Sequence, residues 1–253
     1  MKLWSYALLV IIFCSIMYPI VANWVWNPNG WLALRGFNDF AGSAAVHTMG
    51  GIAALAAAIV LGPRLGKYNK NGSTNINPGH NLPLAATGGF ILWFGWFGFN
   101  PGSTLAAVGN WELIGIVVVN TFLASAAGGI STMIYTYFSY GKIDITMVIN
   151  GILAGLVAIT AGCNVVDPLS AIIIGVFAGV LVDLGVIYID KLKIDDPVGA
   201  IAVHGINGIF GTIAVGLFAS EDGLFFGGGV SLLVTQCIGV LTIAIFSFVV
   251  TFI

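Results

Sequence analysis

Two segments of the chain share a pattern that places a histidine in an otherwise apolar stretch. DFAGSAAVHTMGG begins at Asp39 and DPVGAIAVHGING begins at Asp196. The positions that coincide are Asp39 with Asp196, Gly42 with Gly199, Ala45 with Ala202, Val46 with Val203, His47 with His204 and Gly51 with Gly208. The chain has only three histidines. Because a neutral imidazole has one donor and one acceptor nitrogen, two of them can bond to each other and still present polar edges to a small solute.

The residue pattern does not indicate other chemistry. A zinc site needs three or four suitably spaced ligands, and no third Cys, His or carboxylate accompanies the two histidines. The three cysteines form no CxxC pair, and we interpret them as small core residues. The chain has no nucleophile–base–orienter set, phosphate-binding glycine loop or cofactor motif. The sequence therefore predicts a protein that is not an enzyme and that carries neither metal nor cofactor.

The composition indicates a polytopic membrane protein. Hydrophobic residues make up 58% of the 253 residues and charged residues 7%, whereas soluble domains carry about 25% charged residues. The mean hydropathy is +1.03. The chain has room for about eight spans of roughly 20 residues, so any function must lie within the bilayer. The net charge of −2 and the scattered Lys and Arg residues exclude a nucleic-acid partner, which requires a basic surface.

Long apolar runs, separated by charges or by Gly and Pro clusters, predict the spans and their orientation. We predict helices at 3–24, 40–62, 82–100, 112–138, 144–162, 169–190, 197–219 and 229–252. Seven of the eight basic residues then share one face of the membrane: Lys2, Arg64, Lys67, Lys70, Lys142, Lys191 and Lys193. The positive-inside rule makes that face cytoplasmic and places both termini inside. The first segment also fits a signal peptide cleaved after Ala22, but its length and the loop parity favour a span.

The repeated segments are predicted to run in opposite directions. The helix with His47 starts outside and the helix with His204 starts inside, and each histidine follows a helix-capping aspartate by eight residues. Eight residues of helix span about 12 Å, which brings both side chains near the middle of a core roughly 30 Å thick. Transporters with inverted repeats hold their sites in this position. The alternative is that each histidine is an ordinary hydrogen-bonding residue between packed helices.

Three motifs resemble the ammonium transporter / Rhesus family, in its ammonium transporter branch: DFAGSAAVH, WFGWFGFNPGS and DDPVGAIAVHG. The resemblance covers essentially the whole chain and implies a homotrimer with one narrow hydrophobic pore in each subunit. It implies that His47 and His204 are the twin pore histidines and that Phe99 is the inner phenylalanine of the pore gate. Asp39 resembles the structural carboxylate near the outer vestibule. Asp196 occupies the matched position, and both aspartates keep their simpler role as helix caps.

Further site residues follow from the resemblance. Ser103 is similar to the hydroxyl of the external recruitment site, Trp96 to a pore-flanking aromatic, and Thr160 to a pore-wall threonine. Trp26 in WVWNPNG resembles the external tryptophan that attracts cations, with Trp24 as the alternative. Without the resemblance, the aromatic residues would be interpreted as lipid-facing or core side chains.

The family has eleven spans, so the eight predicted here make an all-α protein with eight of eleven spans of an inverted repeat of five helices. We expect a single transmembrane domain over 1–253, in which 1–62 holds the last two helices of the first repeat. Residues 82–219 would be the complete second repeat and 229–252 the final helix. We expect a fragment of a longer gene. The family's P-II regulatory partner would bind only where a C-terminal tail exists.

The predicted function is ammonium transport across the cell membrane. Ammonium is recruited at the outer mouth, and ammonia is conducted through a hydrophobic pore lined by the two histidines. Lipid and the transported ammonium are the expected partners. The alternatives are a nonconducting remnant, an ammonium sensor, and a channel for water or small neutral solutes.

Overall fold

The computed structural model describes residues 2–75 and 77–253, which fold into eight helices joined by loops. They are α1 (Leu3–Trp26), α2 (Ser43–Leu61), α3 (Leu82–Gly102), α4 (Trp111–Tyr140), α5 (Ile145–Ile159), α6 (Pro168–Lys191), α7 (Ile201–Phe218) and α8 (Ser231–Phe252). Seven of these are long and apolar enough to cross a membrane, while α5 is shorter with 15 residues. The prediction of an all-helical polytopic membrane protein is confirmed.

Three predicted helix boundaries differ from the structure by three residues or more. We expected α2 and α7 to begin at 40 and 197, but they begin at Ser43 and Ile201. A glycine in the left-handed region precedes each start, Gly42 with φ 113° and Gly199 with φ 77°, and turns the chain between the aspartate and the helix. His47 and His204 therefore lie four and three residues past these starts, roughly 4–6 Å along their helices rather than 12 Å. The third boundary is the end of α5, which stops at Ile159 rather than 162.

The helices pack in two groups around α7. In the first group, α4, α5 and α6 bury a core that includes Val117, Leu156 and Ile174. Glycines on α5 and α6 allow this close packing, because a Cβ on Gly155 or Gly175 would overlap the backbone of α4. In the second group, α1, α2 and α8 enclose a loop between α1 and α2. Its core includes Val21, Leu32, Phe37, Met49 and Ile243.

The crossing of α2 and α7 joins the two groups. A Cβ on Gly51 would overlap the backbone of Gly205, and a Cβ on Gly208 would lie 2.6 Å from Oγ1 of Thr48. Gly51 of α2 thus meets Gly205 of α7, and Thr48 meets Gly208. Residue numbers fall along α2 where they rise along α7, so the two helices are antiparallel, as predicted. Glycine permits this backbone contact because it has no side chain, a device that is common between membrane helices.

A loop after α2 is fixed to the loop before α7. The Arg64 guanidinium donates to both carboxylate oxygens of Asp195, with Nε 2.7 Å from Oδ2 and Nη2 2.8 Å from Oδ1. The Arg64 backbone N–H also donates to Asp195. Three residues after Arg64, Nζ of Lys67 lies 3.2 Å from Oδ1 of Asp190. The hydroxyl of Thr74 donates to the same carboxylate. Two of the seven basic residues on the predicted cytoplasmic face, Arg64 and Lys67, are thus paired with aspartates.

We expect Gly51→Ala to lower the free energy of unfolding by about 1–3 kcal/mol, because overpacking a close contact forces backbone shifts of that cost. The matched control is Gly50→Ala, since a Cβ on Gly50 would meet no atom within 4 Å. Thermal unfolding of the detergent-solubilised variants measures both. Equal stability of the two variants would contradict the close crossing.

The Asp195 ion pair predicts a dependence of stability on pH. Chiefly through its hydrogen bond, the Arg64 guanidinium holds the pKa of Asp195 below its usual range. This carboxylate therefore stabilises the fold fully above the unfolded pKa of about 3.9, and the contribution is lost as pH falls through the lower folded pKa. Because the Arg64 side chain is 45% exposed, the contribution is about 1 kcal/mol or less.

The test compares the wild type with Asp195→Asn in thermal unfolding between pH 6 and pH 3. The wild type should lose more stability on acidification than the variant, since the variant has no carboxylate to protonate at this position. Other acidic groups titrate equally in both proteins and cancel in the difference. Parallel losses would show that the pair contributes nothing.

Candidate functional site

The two histidines lie in local irregularities of their helices. His47 is in a π-helical segment at Ser43–Thr48, and His204 is in a second one at Ile201–Ile206. In each helix a side chain bonds back across five residues, Thr48 Oγ1 to the Ser43 carbonyl at 2.9 Å and Asn207 Nδ2 to the Ala202 carbonyl at 3.0 Å. π-Helical turns are rare and often mark functional sites. The sequence repeat is thus also a repeat of this unusual backbone.

Each π-helical segment is preceded by a capping aspartate. Asp39 accepts hydrogen bonds from three backbone N–H groups, those of Gly42, Ala44 and Ala45, at 3.0, 3.0 and 2.8 Å. Asp196 accepts two in the same way. Burial raises the pKa of Asp39 to about 6, although the backbone hydrogen bonds act in the opposite direction. The caps satisfy N–H groups at the helix start that would otherwise be unpaired.

The structure brings the two imidazoles into direct contact. Nδ1 of His47 lies 3.2 Å from Nδ1 of His204, and the rings are 5.2 Å apart at an interplanar angle of 19°. Only one proton can lie between the two Nδ1 atoms, so the two rings cannot both be imidazolium in this arrangement. The His47 side chain is buried, and within the described residues its Nε2 has no hydrogen-bond partner. That nitrogen is therefore a buried hydrogen-bonding atom that no described protein group satisfies.

Trp96 packs against the ring of His47, which also contacts His204. The two rings are 5.2 Å apart at an interplanar angle of 20°. A hydrogen bond fixes the orientation of the indole, since Nε1 of Trp96 donates to Oγ1 of Thr160 at 3.0 Å. Thr160 in turn donates to the Leu156 carbonyl. Thr160 is fully buried and orients Trp96, which orients the face of His47.

Sequence interpretation missed Asn100, which supports the same group. This fully buried residue donates from Nδ2 to Oγ1 of Thr121 at 3.0 Å, and its Oδ1 lies 3.3 Å from Oγ1 of Thr160. A buried amide must find such partners. The signal available in the sequence was an asparagine at the end of the apolar run that contains Trp96.

Phe99 and Ser103 follow Trp96 on α3. The Phe99 ring lies 5.9 Å from both His47 and Trp96 and is 41% exposed. Ser103 ends the helix, and its hydroxyl donates to the Phe99 carbonyl at 3.0 Å. Phe99 therefore sits on the exposed side of the stacked rings, one helical turn before the Ser103 hydroxyl.

Trp26 and Trp24 have different surroundings. Trp26 is 39% exposed, and its Nε1 donates to the Asp39 carbonyl at 2.7 Å, beside the cap of the His47 helix. Trp24 packs instead against Trp31 and Phe246 at 6.0 and 5.0 Å. Of the two alternatives, Trp26 is the one that contacts the segment leading to His47.

Other ionisable residues lie apart from this group. Asp183 is buried within α6, and its Oδ2 has no hydrogen-bond partner in the described part of the chain. Across residues 2–75 and 77–253, no cluster of three or more His, Cys, Asp or Glu side chains could hold a metal ion.

The sequence profile of the Ammonium Transporter Family matches residues 1–253. Ammonium transporter Amt2 of Archaeoglobus fulgidus is 49% identical over 216 residues, which are 81% of this chain and 45% of that protein. Ammonium transporter 1 member 3 of Solanum lycopersicum is 40% identical over 91% of this chain and 58% of its own length. The chain thus spans about half the length of these curated relatives.

Solved structures give the same result. A protein titled Sensor Amt Protein matches with a TM-score of 0.89 and 45% identity, over 95% of this chain and 61% of that one. Mep2 of Candida albicans matches with a TM-score of 0.91 and 32% identity, over 99% of this chain and 57% of its own. The arrangement of the helices is therefore that of Amt and Mep2 proteins.

We expect Thr160→Val to lower the free energy of unfolding by about 1–3 kcal/mol, because it leaves the buried Nε1 of Trp96 without an acceptor. Thr160→Ser is the control, since it keeps the hydroxyl and loses only a methyl group. Thermal unfolding in detergent, followed by tryptophan fluorescence, measures both. A loss no larger in the valine variant than in the serine variant would contradict the role given to the hydroxyl.

Proposed function

This chain belongs to the ammonium transporter family, and from that premise we propose that it forms a path by which ammonium nitrogen crosses a membrane. The observation that supports the proposal is the pair of imidazoles joined at 3.2 Å where two antiparallel helices cross. In the proposed path, ammonium is gathered at one mouth and ammonia passes along His47 and His204. The site residues named from the sequence keep their predicted roles in this proposal.

Recruitment is proposed to occur at the mouth that holds Trp26 and Ser103. An aromatic face attracts a cation by about 0.5–2 kcal/mol, and the exposed part of Trp26 offers such a face. The Ser103 hydroxyl can accept a hydrogen bond from ammonium. Potassium has no hydrogen to donate, so a mouth that requires a donor favours ammonium over potassium of the same charge.

Passage is proposed to take place as neutral ammonia. Transferring a bare cation into a dry apolar site costs several kcal/mol at least, and Phe99 with the stacked rings of Trp96 and His47 makes the entrance apolar. Ammonium therefore gives up a proton to solvent water at the mouth, forming hydronium there, and neutral ammonia enters. Inside, the unpartnered Nε2 of His47 supplies a hydrogen-bonding position for it.

The placement in the membrane is also proposed. The end of the molecule that holds Arg64, Lys67 and Lys193 faces the cytoplasm by the positive-inside rule. Trp26 and Ser103 then lie outside, and the C-terminus lies inside. The membrane is the cell membrane, and the assembly is a homotrimer in which each subunit holds its own path, as the family resemblance implies. Exposed aromatic side chains on α3, such as Phe90 and Phe94, suit contact with lipid or with a second subunit.

An ammonium sensor is the second candidate. It is favoured by the structural match whose title names a sensor protein, at 45% identity. The same mouth and imidazole pair would then bind ammonium and report its presence, without a requirement for flux. Binding that persists where flux is absent separates a sensor, or a nonconducting remnant, from a transporter.

The test is ammonium flux into liposomes that contain the protein. We expect His47→Ala and His204→Ala each to lower ammonium-selective flux at least about tenfold, which corresponds to about 1.4 kcal/mol in the barrier, because the polar path through the apolar core is lost. His80→Ala is the matched control, as His80 is exposed in a loop. Its flux should equal that of the wild type.

Three outcomes would overturn the proposal. Unchanged flux and selectivity in both histidine variants would remove the imidazole pair from the path. Equal passage of water or urea would indicate a channel for small neutral solutes. Saturable ammonium binding by a wild type that shows no flux would indicate the sensor or the remnant.

A further inference from the structure

Gln236 is a polar side chain that the proposed path does not use. It lies in the first half of α8, among the apolar residues that face α7 and the loop before α2, and it is fully buried. Burying an amide is costly unless its groups are hydrogen-bonded. The contacts that Gln236 makes therefore indicate what it does.

All the hydrogen bonds of the Gln236 side chain are directed to backbone groups. Its Oε1 accepts from the Asn38 N–H at 2.8 Å, and its Nε2 donates to the Asn38 carbonyl at 2.7 Å. The second Nε2 hydrogen goes to the Thr212 carbonyl of α7 at 3.0 Å. Two of the three hydrogen bonds thus pair with the N–H and the carbonyl of one loop residue, Asn38, which is the pairing that a neighbouring β-strand provides.

A second contact on the same face of α8 fixes the preceding residue. Gly239 is one helical turn from Gln236, and a Cβ there would overlap the ring of Phe37. Phe37 is itself buried in the core shared with Ile243. Side-chain packing at Phe37 and hydrogen bonds at Asn38 together fix the position and direction in which the chain reaches Asp39.

The position of Asp39 affects two groups, the start of the His47 helix and the Trp26 indole. Its carboxylate caps the backbone from which His47 projects, and its carbonyl accepts the hydrogen bond from Trp26 Nε1. Gln236 is therefore connected to the Trp26 indole through two consecutive loop residues, Asn38 and Asp39, and the hydrogen bond from Trp26 to Asp39. Asn38 has only main-chain contacts with Gln236, so its side chain plays no part in this connection.

We infer that Gln236 is a positioning residue for the mouth, acting through Asn38 and Asp39 to set the Trp26 ring where it captures the cation. The inference rests on the proposed function and deepens it by assigning part of ammonium affinity to α8, a helix outside the path. The hydrogen bond to Thr212 is enough to join α8 to α7. The two bonds to Asn38 have a different effect, because they position the loop that leads to the mouth.

The experiment measures methylammonium or ammonium flux in liposomes over a range of concentrations. Gln236→Leu keeps the side-chain volume and removes all three hydrogen bonds. Its half-saturating concentration should rise about tenfold, with maximal flux within about twofold of the wild type, because an interaction lost from capture alone raises the apparent KM. Thr242→Val is the control on the same helix, since Thr242 bonds only to the Ile238 carbonyl of its own helix. It should behave as the wild type.

A double-mutant cycle distinguishes positioning from general loosening. Trp26→Phe removes the indole N–H that bonds to Asp39 and so breaks the connection to Gln236. If Gln236 acts through Trp26, adding Gln236→Leu to Trp26→Phe should change the half-saturating concentration less than twofold, since coupled residues are not additive. Effects that multiply in the double variant would overturn the inference.

A second variant keeps the inference testable if Gln236→Leu does not fold. Gly239→Ala leaves Gln236 in place but displaces Phe37, and it should raise the half-saturating concentration in the same way. Unchanged half-saturation in a folded Gln236→Leu or in Gly239→Ala, with normal wild-type flux, would overturn the inference and leave the proposed function intact. A wild type without ammonium flux would overturn the proposed function, and the inference with it.

Discussion

The arrangement depends on the contact between two glycines, Gly51 and Gly205, where α2 crosses α7. Hydrogen-bonded imidazoles require their backbones to be close, and only a residue without a side chain allows that at the crossing. Once the helices are fixed there, His47 and His204 meet at 3.2 Å. The Trp96 ring then has a flat surface to stack on, and the packing of α3 follows.

The same crossing creates a problem in backbone hydrogen bonding. In lipid every N–H and carbonyl group must be satisfied within the protein, and the helices that start after the turns at Gly42 and Gly199 have N–H groups without partners in their own helix. Asp39 and Asp196 satisfy the N–H groups beyond those turns, and Thr48 bonds back across one π-helical segment. Several polar residues of this apolar chain thus support irregular backbone near the histidines.

The sequence was sufficient for the helices, their antiparallel order and the matched histidines, because apolar length and a repeated motif are local signals. The late starts of α2 and α7 could have been inferred from Gly42 and Gly199, whose left-handed backbone ends a regular helix. Asn100 and Gln236 could not be assigned, because their partners lie far away in sequence. A buried amide shows only that some partner exists, and the fold decides which one.

The repeat also makes the two ends of the molecule comparable residue by residue. His204 follows His47 by 157 positions, and the same shift relates Asp195 to Asn38 and Arg64 to Glu221. At one end the pair is an arginine and an aspartate joined by charge. At the other end Asn38 is held by the uncharged amide of Gln236. Since dissolved salt screens charges but hardly affects a buried amide, ionic strength acts on the contact at the Arg64 end of the molecule more strongly than on the contact at the Asn38 end.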